Sequence, residues 1–235
     1  MGTVPDAKEP AGLVVFDLDG TLFDDMLAVS RVAARVFHEA FGTPLPKGAL
    51  DYLRTTGIPF ELQVAELYPE ATPFEQQTAS RKFHEAKVTD AYAQAKLFPE
   101  VPRLLKQLDR SGYRLVVSTG GEKEMAELLL EREGVGFLFE QVLGAAQGTK
   151  DEHLRIYRQR WPGSATALVG DSRQDLELAR KVPEVVPFAR ATRLPGWEVT
   201  PGELRRWGAV WADYSLEQLP EALGRFLRPA GNRRA

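Results

Sequence analysis

Asp17 and Asp19 stand two residues apart, directly after the apolar run 13–16, and Gly20 and Thr21 follow them. A short unbroken apolar run fits a strand buried on both faces of a parallel sheet. Open α/β sheets bind their ligands at the carboxyl ends of such strands, so the two carboxylates sit where chemistry is done. They are costly to bury unless a metal ion, a proton or a cationic partner neutralises them. Asp and Gly also favour ordinary surface turns, and Asp-x-Asp-Gly alone does not separate the two readings. Three later polar clusters do. Residues 118–121 (Ser-Thr-Gly-Gly), the loop with Lys150, and residues 170–175 with Asp171 and Asp175 each follow an apolar run in the same way. Strands of a parallel sheet point one way, so all four ends converge on one edge.

The converging groups form a phosphate-handling set. Oxygens of Asp17 and Asp171 suit Mg²⁺, a hard cation that takes oxygen ligands and retains waters. The ammonium of Lys150 and the hydroxyl of Ser118 suit phosphoryl oxygens, and loop amides at Thr119 and Gly120 add donors at a helix start. A carboxylate nucleophile is ionised at neutral pH and needs no base. Its obstacle is repulsion from an anionic phosphate, which Mg²⁺ and the lysine offset. Each group also has a structural explanation: Ser118 as a helix cap, Lys150 as a solvated surface lysine, and Asp171 and Asp175 as a turn and a first-turn acid favoured by the helix dipole. Four clusters in order, each closing an apolar run, favour the site.

Positioning these groups requires alternating strands and helices. Strand patterns fall at 13–16, 113–117, 137–143, 165–169, 185–188 and 209–211; helical ones fall at 102–110, 123–132, 150–160, 175–181 and 216–226. That alternation implies an α/β fold with a parallel sheet and right-handed crossovers. Residues 27–96 carry no strand pattern. They read as helices at 27–41, 49–54, 60–67 and 74–96, with Pro44, Pro46 and Gly48 closing the first,. This stretch looks like a helical domain inserted between strand-bearing regions.

Composition bounds the rest. The 235 residues are 43% hydrophobic and 27% charged, ordinary for a globular protein. A net charge of −3 offers no global basic field for nucleic acid,. With no cysteine there is no disulfide, thiolate zinc site or thiol nucleophile, which suits the cytoplasm. No apolar run approaches a membrane span, and residues 1–10 have no signal-peptide core. Residues 1–10 and 229–235 read as flexible tails. A monomer without nucleic-acid or membrane partners is expected.

The motifs resemble those of the haloacid dehalogenase-like superfamily, in its phosphoglycolate phosphatase-like branch. Asp17-Leu18-Asp19-Gly20-Thr21 matches the first motif, Ser118 the second, Lys150 the third, and Gly170-Asp171-Ser172 with Asp175 the fourth. The resemblance implies a three-layer Rossmann-like core formed by 11–24 and 97–228, with 25–96 as an α-helical cap of the C1 type. It implies that Asp17 attacks phosphorus to give an aspartyl-phosphate, and that Asp19 protonates the leaving alcohol and then activates water. Mg²⁺ would be held by Asp17, the backbone carbonyl of Asp19, and Asp171, with Asp175 joining through water or orienting Lys150. Ser118 would bind the phosphoryl group, and Arg54, Thr56 and Gly57 on the cap loop would meet the substrate. Asp19 argues against dehalogenase chemistry, which has no leaving alcohol to protonate. The third motif lacks the proline that often follows its lysine, which leaves Lys123 as an alternative to Lys150. Asp25 stands where many relatives carry serine. The expected activity is Mg²⁺-dependent hydrolysis of a small phosphorylated metabolite. The alternatives are a phosphomutase or a non-catalytic binding protein on the same fold.

Overall fold

The computed structural model describes residues 11–227. The expected tails, 1–10 and 229–235, lie outside them. The chain opens with β1 (Gly12–Phe16) and continues through four helices: α1 (Met26–Phe41), α2 (Leu45–Thr55), α3 (Phe60–Leu67) and α4 (Pro73–Ala86). A π-helical turn, Lys87–Tyr92, follows α4. Strands and helices then alternate: α5 (Val101–Arg110), β2 (Tyr113–Ser118), α6 (Lys123–Arg132), β3 (Gln141–Leu143), α7 (Lys150–Arg160), β4 (Thr166–Gly170), α8 (Arg173–Lys181) and β5 (Val185–Arg190). The last elements are a small hairpin of β6 (Thr192–Leu194) and β7 (Trp197–Val199), then α9 (Pro201–Trp207), β8 (Trp211–Asp213) and α10 (Leu219–Phe226).

Six strands form one parallel sheet in the order β3-β2-β1-β4-β5-β8. Every residue of β1 is buried, as its unbroken apolar run requires of a strand covered on both faces. Side chains alternate across it. Val14 and Phe16 join a cluster with Leu115, Val117 and Val169; Leu13 and Val15 join one with Val116, Leu168 and Tyr157 on the other face. The helices that complete these clusters make the three-layer Rossmann-like α/β fold. Register matters more for function. Phe16 is level with both Val117 and Val169, so the next residues, Asp17, Ser118 and Gly170, lie side by side where the strands end.

Helices α1–α4 and the π turn close around a separate apolar cluster that includes Phe37, Tyr52, Phe60, Val64 and Phe83. Its centre is the Phe60–Phe83 pair, with rings stacked 3.7 Å apart. Two chain crossings join this helical part to the sheet, and they pair with each other: Asp24 N–H donates to Lys96 O at 2.9 Å and Phe98 N–H to Leu22 O at 3.0 Å. Arg190 braces the crossings from below. It is buried, donates to Thr21 O (3.0 Å) and Tyr214 O (2.8 Å), pairs with Glu100, and lies 3.7 Å from the Phe98 ring.

The structure departs from the sequence expectations at four places. α2 begins at Leu45 rather than 49, because Pro46 sits in its first turn, where the missing N–H costs nothing. The single helix expected over 74–96 is α4 plus the π turn. The expected strand 137–143 is a 3₁₀ turn, Gly136–Leu138, followed by only three strand residues. The β6–β7 hairpin and α9 were not foreseen; Leu194 and Trp197 of the hairpin pack against the helical cluster.

Candidate active site

The loop after β1 turns sharply enough to bring its two aspartates to the same edge. Asp17 N–H donates to Val169 O at 2.9 Å, carrying the sheet ladder one residue past the strand. Gly20 then takes φ 72°, which favours glycine. A Cβ there would also stand 2.4 Å from Asp171 Oδ2. The glycine therefore lets the first and fourth motif loops touch.

Three carboxylates meet at this edge. Asp17, Asp171 and Asp175 each place an oxygen within 4.8 Å of the others, and all three are buried. Asp175 is set by a capping box: Ser172 caps α8, its hydroxyl accepts from Asp175 N–H, and Asp175 Oδ2 accepts from the Ser172 hydroxyl. The other Asp175 oxygen accepts from Lys150 Nζ at 2.7 Å, and the same ammonium lies 2.9 Å from Asp17 Oδ1. Lys150 starts α7, whose own capping box is built from Thr149 and Glu152. Of the two candidate lysines, Lys150 is the one at the site; Lys123 pairs with Glu127 instead. Asp175 thus orients Lys150 while standing within reach of the other two acids.

The electrostatics favour a cation. Burial, resisted by Lys150 and reinforced by Asp175, pushes Asp17 up to about 7. Burial, then the charges of Asp17 and Asp175, pushes Asp171 well above the carboxylate range. Burial works against the Lys150 ammonium, but the charges of Asp17 and Asp175 outweigh it and raise its pKa. Three acids against one ammonium, offering only oxygen, fit a hard divalent cation. Asp19 joins this set in neither carboxylate position. Its Oδ2 accepts from Lys87 Nζ at 2.6 Å and Tyr92 Oη at 3.1 Å. Burial would raise Asp19, but the Lys87 charge and its hydrogen bonds, including one from Asp25, hold it below the usual value. Asp25 is buried, accepts from Gly20 N–H at 3.1 Å, and is pushed well up by burial and the Asp19 charge.

Ser118 is a correction. Its side chain points to the face of Val116, and its hydroxyl meets His153 Nδ1 at 2.9 Å, fully buried. Burial lowers the His153 pKa, so the ring is neutral. Its Nε2–H donates to Gly144 O at 3.1 Å, which leaves Nδ1 to accept from the Ser118 hydroxyl. Strand alternation turns the next residue, Thr119, toward the opposite side. Thr119, Gly120 and Gly121 line the cavity in front of Asp17, and Thr119 Oγ1 accepts from Gly121 N–H at 3.0 Å. Of the two hydroxyl residues at this strand end, Thr119 is the one that lines the cavity.

The cavity has a volume of about 610 Å³ and runs from Asp17, Asp19 and Lys150 to the facing helices, with Thr56, Gly57, Phe60 and Lys87 on that side. Arg54, expected here, is absent from the lining. Its neighbours Tyr52, Leu53 and Thr55 are buried, so the helix turns Arg54 outward to solvent. Gly57 comes close to the opposite side of the cavity. It has φ 98°, and a Cβ would fall 2.5 Å from Ser172 Oγ. Gly57→Ala is expected to lower kcat/KM about tenfold or more by forcing the loop off Ser172, at a cost of about 1–3 kcal/mol, with metal affinity unchanged. Steady-state kinetics with a metal titration checks this.

Sequence reasoning missed Lys87, Tyr92 and His153. The first two lie on the π turn. Such turns recur at functional sites, but its only sequence trace is a lapse of helical periodicity after Ala86.

Comparison with known proteins bears on this arrangement. A profile of haloacid dehalogenase-like hydrolases matches residues 14–183. A probable phosphatase, IndB, of Dickeya dadantii is 29% identical over 179 residues, covering 72% of this chain and 76% of that protein. A plasmid-encoded phosphoglycolate phosphatase of Cupriavidus necator is 30% identical over 233 residues, covering 94% and 95%. Among solved structures, a putative phosphoglycolate phosphatase of Lactobacillus delbrueckii superposes with a TM-score of 0.76 at 19% identity, covering 91% of this chain and 98% of that one; at that identity it bears on the fold alone.

Proposed function

The chain belongs to the haloacid dehalogenase-like hydrolases and is a phosphatase of that family; we propose that it hydrolyses a small phosphorylated metabolite, with Mg²⁺, through an aspartyl-phosphate on Asp17. The observation that carries this is the pairing of two carboxylates in one cavity with opposite partners. Asp17 has Lys150 at 2.9 Å and two further acids beside it; Asp19 has Lys87 at 2.6 Å. Residues 11–24 and 97–228 form the core in this reading, and 25–96 form a cap over it.

The residues divide the work as follows. Lys150, Thr119 and the amides of Gly120 and Gly121 hold the phosphoryl oxygens. A divalent cation held by Asp17, Asp171 and the Asp19 backbone, with Asp175 nearby, supplies further neutralisation of phosphoryl charge. An Asp17 oxygen attacks phosphorus, and the bond from phosphorus to the ester oxygen of the leaving alcohol breaks as that ester oxygen takes a proton from Asp19. Asp19 is held ionised by Lys87 before substrate arrives. The phosphate dianion beside it raises its pKa, so it gains the proton it later donates. Once the alcohol has left, ionised Asp19 takes a proton from water, whose oxygen attacks phosphorus and releases Asp17. The test is acid quench within one turnover in the presence of Mg²⁺, then borohydride reduction. Homoserine at position 17 supports the acyl-phosphate, whereas unmodified Asp17 during confirmed phosphate release overturns it.

Lys87 then acts through Asp19. Replacing it by Met removes the charge that depresses Asp19. The acidic limb for hydrolysis of the aspartyl-phosphate, the step that requires Asp19 ionised, is expected to move to higher pH, and kcat to fall about 10–100-fold. Lys87→Arg should restore the limb; a profile that does not move in Lys87→Met argues that Lys87 only packs.

A further inference from the structure

The half of the cavity away from Asp17 is apolar and aromatic. Tyr52, Phe60 and Phe83 form its wall, with Ile58, Pro59 and Leu62 beside them. Phe60 is stacked between Phe37 and Phe83, so these rings offer the cavity only the packed edge of the helical cluster, and Pro59 and Leu62 supply exposed apolar surface beside it. Gln63 is 3% exposed and tied back to the helical cluster, its Nε2 donating to Ile58 O at 3.0 Å and its Oε1 accepting from Thr55 at 2.8 Å.

The charges are equally telling. Among the described residues, the basic side chains lining the cavity are Lys87, Lys150 and His84, and each already has a carboxylate. Lys87 meets Asp19 at 2.6 Å, Lys150 meets Asp17 at 2.9 Å and Asp175 at 2.7 Å, and His84 meets Glu61 at 2.8 Å. Arg54, the one cation expected on the loop, faces solvent. Asp151 and Glu152 add negative charge to the lining near Lys150. A substrate with a second anion on its leaving group would bury that anion against apolar carbon without a free cation, which is costly. A cavity of about 610 Å³ would also leave a two-carbon leaving group mostly in water,.

We propose that this enzyme takes phosphate monoesters of uncharged alcohols that carry a bulky apolar group, and rejects 2-phosphoglycolate and other esters whose leaving group bears a carboxylate. The inference rests on the phosphatase reading above and names the substrate class for that same site. The apolar group packs against this side of the cavity, and the released alcohol is neutral, so no second charge has to be desolvated.

The experiment compares kcat/KM for 2-phenylethyl phosphate, ethyl phosphate and 2-phosphoglycolate with Mg²⁺. All three are esters of primary alkyl alcohols, so leaving-group chemistry is similar and the comparison reads recognition. The phenyl ester is expected to exceed the ethyl ester by at least about tenfold, from burial of one ring, and 2-phosphoglycolate by about a hundredfold. Leu62 lines the cavity and is 56% exposed, so Leu62→Arg should fold; it is expected to close the gap to 2-phosphoglycolate by about tenfold, chiefly through KM. Equal or faster turnover of 2-phosphoglycolate by the unmodified enzyme overturns the proposal and leaves the phosphatase reading standing. So does an unchanged ratio in Leu62→Arg of native circular dichroism. Absence of Asp17-dependent phosphate release from all three esters and from a wider panel of phosphate monoesters removes the phosphatase reading, and the proposal with it.

Discussion

An Asp17→Asn variant is expected to lose phosphate release by about four to six orders of magnitude, the range for removing a covalent nucleophile. The other acids at the site are held in ways that stop them substituting. Asp175 has both oxygens engaged, by Lys150 and Ser172. One Asp19 oxygen is held by both Lys87 and Tyr92, and Asp171 does not line the cavity. The variant should nonetheless fold, and without metal it should be more stable than the parent at neutral pH. The amide removes a buried acid that the fold pushes up to about 7, so it removes a charge that the unfolded chain solvates better. The measurement is phosphate release at saturating substrate, paired with thermal unfolding in chelator. Residual activity within about a hundredfold of the parent would move the nucleophile elsewhere; a large loss of stability would make the activity result a folding defect.

How much of this was legible in the sequence depended on which physical signal carried each residue. Asp17, Lys150, Asp171 and Asp175 were legible because each closes an apolar run or opens the helix after it, and parallel strands bring such ends together. Ser118 and Thr119 show the limit of that signal. Both are small hydroxyl residues at the end of one strand, and only alternation along β2, with Val116 and Ser118 on one face, decides between them. The sequence reading named both, Ser118 for its hydroxyl and Thr119 for its amide, and only Thr119 lines the cavity. Arg54 failed for the matching reason on a helix: its loop reaches the site, but the turn that buries Tyr52 and Thr55 faces Arg54 outward. Lys87 and Tyr92 reach Asp19 across about seventy residues of chain, and no local pattern encodes that contact. The β6–β7 hairpin did have a signal, the Pro195-Gly196 turn, but its three-residue strands are too short for alternation to register.

The charge arrangement at Asp17 makes a second large effect, on stability rather than turnover. In the absence of metal, stability should fall as pH rises from about 4 to about 8. The sign follows from the raised values of Asp17 and Asp171. Below the unfolded carboxylate value of 3.8 both states carry these protons. Between there and about 7 the folded state keeps protons that the unfolded chain has released, so the slope of stability with pH is negative. Asp19 is displaced the other way, so its contribution is lost only as pH falls below the ordinary carboxylate range, outside this window. A tenfold difference in proton affinity between folded and unfolded chain is worth about 1.4 kcal/mol. The raised value of Asp17 already includes the opposing charge of Lys150, so the loss across the window is on the order of 4 kcal/mol, with about 2–4 °C in Tm for each kcal/mol in a chain of this size. Mg²⁺ should reverse the trend, because its binding requires the same oxygens deprotonated. At about 100 times Kd it stabilises by about 2.7 kcal/mol. Its effect on Tm should therefore be larger at pH 8 than at pH 5. Asp171→Asn separates this from any general effect of salt. That variant should be more stable than the parent at pH 8 in chelator, and should lose most of the Tm rise on adding Mg²⁺ at constant ionic strength. A parent whose chelated stability climbs steadily from pH 4 to 8 would mean that Lys150 already neutralises the cluster. A Tm rise with Mg²⁺ that survives Asp171→Asn would place the cation away from these three carboxylates.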